Sequence, residues 1–381
     1  MKRKSLLFLI TLLICFCCSW TVLALDIDAG AYMLVDMKTG QVITEYAADE
    51  IKYPASITKV MTAYLVLTHV DDLSREVTSP KNFKNVGESS AGILPNETHT
   101  YMDLLYALLI RSANDAAQVL AIDIAGSEKE FVALMNETAR ELGMKNTNFV
   151  NPHGLHSEDH YTTASDLIIL AQAALKLDTF REIVAKDKVA LLWNGKKITF
   201  TSTNKLYGNY EGVKGIKTGT TTPAGACLLA LCERDGVEML AVMLKAEELY
   251  EDMPELLDFG FDNFRHEVVF EGGELIANLP VIDGKTDNVD IFVKGSVEVL
   301  LHKDAASAFY TVDLPPSLTA PVQKGDVVGT LTVEDSFDNE FELELVAGET
   351  VELHTFSLIF RRVFECILGI FSRTPAAAIL N

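Results

Sequence analysis

Cysteine is scarce in this 381-residue chain, with six residues in all, three of them (Cys15, Cys17 and Cys18) close to the start. So few thiols exclude a disulfide scaffold and a cysteine-rich zinc fold. Basic residues are also short. Lys and Arg number 32 against 54 Asp and Glu, for a formal charge of −22. A nucleic-acid partner needs a basic footprint to meet phosphates, so that class is excluded. No Gly-rich loop follows a strand, so no nucleotide or other cofactor is implied. Histidines number eight. His153, His156 and His160, with Glu158 and Asp159, form the one suggestive group. It is a short loop without a fixed ligand geometry, and it is read as structural rather than as a metal site. Apolar residues are plentiful, at 49%. That excludes wholesale disorder, and the length suggests two or three domains.

The surplus of apolar sequence lies at the two ends. Lys2, Arg3 and Lys4 precede an apolar run from Leu6 to Leu13 that continues through Ile14 and Phe16. Ala24 offers a small residue for cleavage, so residues 1–24 read as a secretory signal. Its removal would take three basic and no acidic residues, leaving the exported chain more acidic still. At the other end, Phe356, Phe360, Val363, Ile367 and Phe371 make one helical stripe. Arg361, Arg362, Glu365 and Arg373 gather opposite. Two central arginines disfavour a membrane span, so residues 356–374 are expected to lie in the membrane interface as an amphipathic anchor.

Between the ends, residues 31–46 alternate in character and read as a hairpin turning at Lys38-Thr39-Gly40. Apolar helices are expected over 56–69, 102–110, 116–125, 128–142 and 165–175. Two apolar strands, 226–231 and 239–244, follow around an Arg234-Asp235-Gly236 turn, and a helix over 251–264 closes the region. Strands at both ends with helices inserted suggest one sheet covered by helices. Beyond Arg265, short alternating runs between Gly, Pro and Asp turns suggest a small β-domain. Cys227 and Cys232 read as buried thiols.

Three short motifs carry chemistry. Ser56-Ile57-Thr58-Lys59 puts a hydroxyl and an amine one helical turn apart. A serine becomes a nucleophile when a base takes its proton. A lysine becomes that base when its pKa falls by about 2–3 units, and burial or a second cation supplies such a shift. Ser112-Ala113-Asn114 lies between two helices, where a second hydroxyl could relay protons and an amide could hold a peptide bond. Asn114 or Asp115 is expected to cap the next helix. Lys217-Thr218-Gly219 precedes the apolar strands. Lys217 and Thr218 suit a carboxylate, and Gly219 would let an extended substrate come close. Lys217 is also the cation that could lower the pKa of Lys59. Ser202-Thr203-Asn204-Lys205 and Lys38-Thr39-Gly40 repeat these patterns and are set aside as chance matches, because their contexts differ.

Taken together, Pro-Ala-Ser56-Ile-Thr-Lys59, Ser112-Ala-Asn114-Asp-Ala-Ala and Gly-Ile-Lys217-Thr-Gly219-Thr resemble the serine-type D-alanyl-D-alanine carboxypeptidases, the low-molecular-mass penicillin-binding proteins. Residues 148–155 and 160–166 and the Thr203-Asn204-Lys205 segment are similar to that family too. The resemblance implies an α/β penicillin-binding/β-lactamase-like transpeptidase fold, an antiparallel sheet flanked by helices. A small all-β domain and a C-terminal amphipathic helix would follow. It divides the chain into a signal (1–24), a catalytic domain (25–264), a β-rich domain (265–355) and an anchor helix. It implies removal of the terminal D-alanine from peptidoglycan pentapeptide stems at the outer face of the cytoplasmic membrane, without a cofactor, and acylation by β-lactam antibiotics. In it Ser56 forms the acyl-enzyme, Lys59 is the base and Ser112 shuttles protons. Asn114, Lys217, Thr218, Gly219 and Thr220 bind substrate, with the N–H groups of Ser56 and Thr220 as the oxyanion hole. Thr220 departs from relatives that carry a histidine or aromatic residue there, which bears on deacylation. A β-lactamase would share the three motifs, but no acidic deacylation motif separates Ser112 from Lys217 and the β-domain would be surplus. A slow penicillin sensor is the third class weighed.

Overall fold

Residues Ala31 to Asp36 are buried without interruption, although an alternating strand was expected there. Such continuous burial belongs to a strand covered on both faces. In the computed structural model, which describes residues 25–87, 89–356, 360, 363 and 364, this segment is β1 (Ala29–Asp36). It pairs antiparallel with β2 (Val42–Tyr46). Two short paired strands, β3 (Glu76–Thr78) and β4 (Thr98–Thr100), follow. A further hairpin is formed by β5 (Lys188–Trp193) and β6 (Lys196–Thr201). Sequence patterning gave neither pair. β3 and β4 are short, and β5 and β6 are largely exposed although β5 carries the apolar run Val189 to Trp193.

β7 (Val213–Thr221), β8 (Gly225–Arg234) and β9 (Val237–Ala246) complete a five-stranded sheet in the order β2-β1-β9-β8-β7. Asp235 and Gly236 both have positive φ, +51° and +80°. That is the two-residue turn whose twist suits a tight hairpin. Cys227 and Cys232 are buried free thiols, as expected.

Seven helices are described. α1 (Lys59–His69) is central and buried on nearly every side, from Lys59 through Val66. α2 (Tyr101–Leu109) starts at Thr100, whose side chain accepts from the Asp103 N–H. α3 (Asn114–Ala125) ends at left-handed Gly126. α4 (Glu128–Leu142) is capped by Ser127, and α5 (Ala164–Ala174) by Thr163. α6 (Asp178–Val184) is short, and α7 (Leu249–Asn263) closes the region. Each cap satisfies an N–H that the first turn leaves without a partner.

The described chain forms two compact units. The first comprises the sheet and helices, up to Phe259. The second holds residues 260 onward together with Asp36–Gln41 and Asp235–Val237. In the second, β10 (Phe264–Phe270) pairs with β13 (Val297–His302). A six-stranded sheet runs β14-β16-β17-β12-β11-β15. Its strands are β11 (Leu275–Ile282), β12 (Asn288–Lys294), β14 (Phe309–Asp313), β15 (Leu318–Thr319), β16 (Val327–Glu334) and β17 (Glu340–Ala347). Ile291, Val299, Leu331, Val333 and Leu345 are fully buried between them. The signal over 1–24 and most of the anchor over 356–374 lie outside the described residues. Among the described residues, no helix is long and apolar enough to cross a membrane.

Candidate active site

Ser56 does not sit on the regular helix expected for it. It lies on a 3-10 turn, Ala55–Thr58, that leads into α1. Residues three apart eclipse in a 3-10 turn, so Ser56 stands directly beneath Lys59. Ala55, the residue before the nucleophile, has a φ of +46°. That left-handed conformation is held from two sides. A Cβ on Gly154 would come within 1.9 Å of the Ala55 carbonyl oxygen. A Cβ on Gly219 would meet the Pro54 carbonyl at 2.8 Å and the Ser56 nitrogen at 3.1 Å. The expected reason for Gly219 was close approach of substrate. In the structure the missing side chain also admits the Ala55–Thr58 turn.

Lys59 is completely buried. Its Nζ is 2.9 Å from Ser56 Oγ, 2.7 Å from Asn114 Oδ1 and 2.6 Å from the His153 carbonyl. Burial drives its pKa well below the ordinary lysine value, and the Lys217 charge pushes it down further, while Asp115 opposes them. A neutral amine has two N–H donors and one lone pair. Asn114 and His153 take the two donors, which leaves the lone pair for the Ser56 hydroxyl.

Ser112 has a φ of +64° and faces the same cleft as Ser56. Asn114 is buried, and both ends of its amide are occupied, by Lys59 Nζ and by the Val86 carbonyl at 3.1 Å. The structure therefore ties the Asn114 amide, expected to bind substrate, to the Lys59 amine. The N-cap residue Ala113 offers no side-chain cap, but Asp115 Oδ1 accepts from the Ala116 N–H in the first turn of α3 at 3.0 Å. Asp115 also accepts from Ser90 Oγ at 2.5 Å and from the N–H groups of Ala91, Gly92 and Ile93. It fixes the loop beside Ser89, and Ser89 accepts from the Asn114 N–H. Capping rules gave only the local role of Asp115, because a contact across more than twenty residues leaves no sequence signal.

Lys217 is 1% exposed and donates to the Thr218 carbonyl. Burial lowers its pKa to about 7. Thr218, Gly219 and Thr220 line a cleft of about 380 Å³ with Ser56 and Ser112. Lys59, Asn114 and Lys217 stand behind that surface. Thr203, Lys205, Leu249 and Tyr250 also line the cleft. The segment set aside as a chance match therefore forms a cleft wall. Thr203 and Thr218 share a hydroxyl–hydroxyl bond of 2.5 Å.

The histidine loop serves the same turn. His160 Nδ1 accepts from the Val150 N–H, so its Nε2 is the protonated nitrogen. Nε2–H donates to Thr58 Oγ1, which donates to the Ala55 carbonyl. Burial lowers His160 to about 4 and His153 to about 3, so both are neutral above those values.

Residues 19–248 match the family model described as D-alanyl-D-alanine carboxypeptidase. This chain belongs to that family. Residues 264–353 match the C-terminal domain of penicillin-binding protein 5. The D-alanyl-D-alanine carboxypeptidase DacF of Bacillus subtilis is 31% identical over 345 residues, covering 88% of this chain and 89% of that protein. Penicillin-binding protein 5 of Haemophilus influenzae superposes with a TM-score of 0.69 at 26% identity, over 86% of this chain and 98% of its own. A single-residue mutant of the Streptomyces K15 DD-transpeptidase superposes with a TM-score of 0.57 at 29% identity. It covers 62% of this chain and 98% of its own. The expected fold, a helix-flanked sheet followed by an all-β domain, is the one observed.

Proposed function

We propose that this serine D-alanyl-D-alanine carboxypeptidase removes the terminal D-alanine of peptidoglycan pentapeptides through an acyl-enzyme on Ser56. The observation that carries the assignment is the 2.9 Å approach of the buried, pKa-lowered Lys59 amine to Ser56 Oγ. Neutral Lys59 takes the hydroxyl proton as Oγ attacks the carbonyl carbon of the penultimate D-alanine. The oxyanion forms against the N–H groups of Ser56 and Thr220, each donor contributing about 3–4 kcal/mol. Collapse breaks the peptide bond. The leaving amine takes a proton from Ser112, which recovers one from Lys59. Water then attacks the ester, gives its proton to Lys59, and the proton returns to Ser56 Oγ. Penicillin acylates the same oxygen, because its lactam presents an equivalent carbonyl.

Wild-type protein is expected to release free D-alanine from diacetyl-Lys-D-Ala-D-Ala, and Ser56→Ala to release none. Acylation by penicillin without any D-alanine release by the wild type would sink the assignment. Mass spectrometry of the penicillin adduct locates the modified serine. Peptidoglycan lies outside the cytoplasmic membrane, so this reading includes export by residues 1–24. The catalytic domain is assigned to 25–264 and the β-rich domain to 265–355. Peripheral attachment through 356–374 completes it. Truncation before Phe356 should move the protein out of the membrane fraction, and an unchanged fraction would reject that anchor.

A further inference from the structure

We infer that His160 is a positioning residue that aims the Ser56 N–H at the reacting carbonyl oxygen, acting through Thr58 on the Ala55 carbonyl. On the carboxypeptidase reading, on which this rests, that N–H is a donor to the oxyanion. The Ala55 carbonyl and the Ser56 N–H are the two ends of one planar peptide. They point in opposite directions and turn together. Whatever holds the carbonyl therefore also sets where the N–H points.

The carbonyl stands at the end of a chain of hydrogen bonds that begins far away in sequence. The Val150 N–H donates to His160 Nδ1 at 3.1 Å. His160 Nε2–H donates to Thr58 Oγ1 at 2.8 Å, and the Thr58 hydroxyl donates to the Ala55 carbonyl at 2.8 Å. A neutral imidazole has one donor and one acceptor, and both are used. Each bond directs the next. Because Nδ1 accepts, Nε2 carries the proton, and the single Thr58 proton is left for Ala55. With Nε2 unprotonated, the hydroxyl would turn to the imidazole and the carbonyl would lose its donor. Thr58 is fully buried and His160 is 2% exposed, so bulk water offers no substitute. Ala55 needs such a hold, since its φ of +46° is one that alanine adopts only where the surroundings impose it. The loop at the start of the chain also supplies the His153 carbonyl to Lys59 Nζ and the Pro152 carbonyl to Thr62 on α1. His160 thus ties the nucleophile turn to the loop that holds the base. It is not among the residues that line the cleft, so it reaches the reacting atoms only through the turn.

The test is penicillin acylation of the full chain, read as the saturating rate constant, the half-saturating concentration and the number of adducts per protein. Thr58→Val keeps the shape of the side chain and removes the hydroxyl. It is expected to lower the saturating rate about thirtyfold, somewhat less than the loss of a whole oxyanion donor, and to move half-saturation less than about twofold. Thr58→Ser keeps the hydroxyl and should stay within about threefold of wild type in rate. His160→Gln places an amide N–H where Nε2 stands and should keep most of the rate. His160→Asn places its amide near Nδ1, does not reach Thr58 and should match Thr58→Val. The double variant Thr58→Val with His160→Asn should lose no more than Thr58→Val alone, since both break one chain. A merely structural role would lower the number of adducts and leave the rate of the remaining protein unchanged, and that result would overturn the inference. So would equal losses for His160→Gln and His160→Asn, or losses that multiply in the double variant. If instead wild-type protein forms no adduct on Ser56 and releases no D-alanine, it is the carboxypeptidase reading that fails.

Discussion

In the proposed mechanism Lys59 acts as a base only while it is neutral, and Lys217 would support carboxylate binding only while it is charged. The two requirements have opposite signs along pH. Lys59 lies well below the ordinary lysine value, chiefly through burial and then through the Lys217 charge, so kcat/KM should rise as pH climbs through that lowered pKa. Lys217 sits at about 7, so the positive potential behind Thr218 fades above that point. The expected profile for a peptide acid is a bell whose falling limb begins near pH 7, read in kcat/KM because that quantity reports the free enzyme. A rate that stays flat from pH 7 to 9 would contradict the role given to Lys217. At this scale much of the site was legible. A serine and a lysine three apart announce a nucleophile and its base through residue type alone, and the coupling of Lys217 to Lys59 followed from like charge. The long-range role of Asp115 was not legible, because it depends on chain partners far away in sequence.

The element on which the proposed mechanism depends is the turn from Pro54 to Thr58. The sequence pattern merges it with α1, since periodicity does not separate a 3-10 entry from the helix that follows. The structure shows why it differs. Left-handed Ala55 bends the chain, the Gly219 strand closes on one side and the Gly154 loop on the other. Such a conformation costs about 1–3 kcal/mol and persists only where its surroundings over-determine it. Gly154→Ala would place a Cβ 1.9 Å from the Ala55 carbonyl, at a position whose own φ is +89°. Backbone on both sides must then shift. The variant is expected to lose about 2–4 kcal/mol in urea unfolding. Its penicillin acylation should slow by about a hundredfold, because an ångström of displacement at the nucleophile costs that much. An acylation rate within threefold of wild type would show that the turn is not set by this contact. Helices and the β8–β9 hairpin were legible from apolar period and an Asp-Gly turn. The nucleophile turn was not, because its shape is set by neighbours more than ninety residues away.

At the scale of the whole molecule, the residues that line the candidate cleft belong to one unit. Ser56, Ser89, Ser112, Thr203, Lys205, Thr218 and Tyr250 all lie in the first unit. The Streptomyces relative is matched over 98% of its own length by 62% of this chain. A chain ending at Asn263, the last residue of α7, should therefore still form the penicillin adduct, at a rate within several-fold of the full protein. It should also be less stable, for a specific reason. Asp36 is wholly buried, and one carboxylate oxygen accepts from His266 Nε2 at 2.8 Å. Truncation removes His266 and leaves Thr39, which donates to the other oxygen. A carboxylate deprived of such a partner costs about 1–3 kcal/mol while it stays buried. Asp36→Asn should recover part of that loss in the truncated chain and lower stability in the full one, where His266 would lose its carboxylate acceptor. The paired measurement is the thermal midpoint of all four proteins beside their acylation rates. Loss of acylation in a truncated chain that still melts cooperatively would place part of the catalytic requirement beyond Asn263 and overturn the division of labour argued from the cleft.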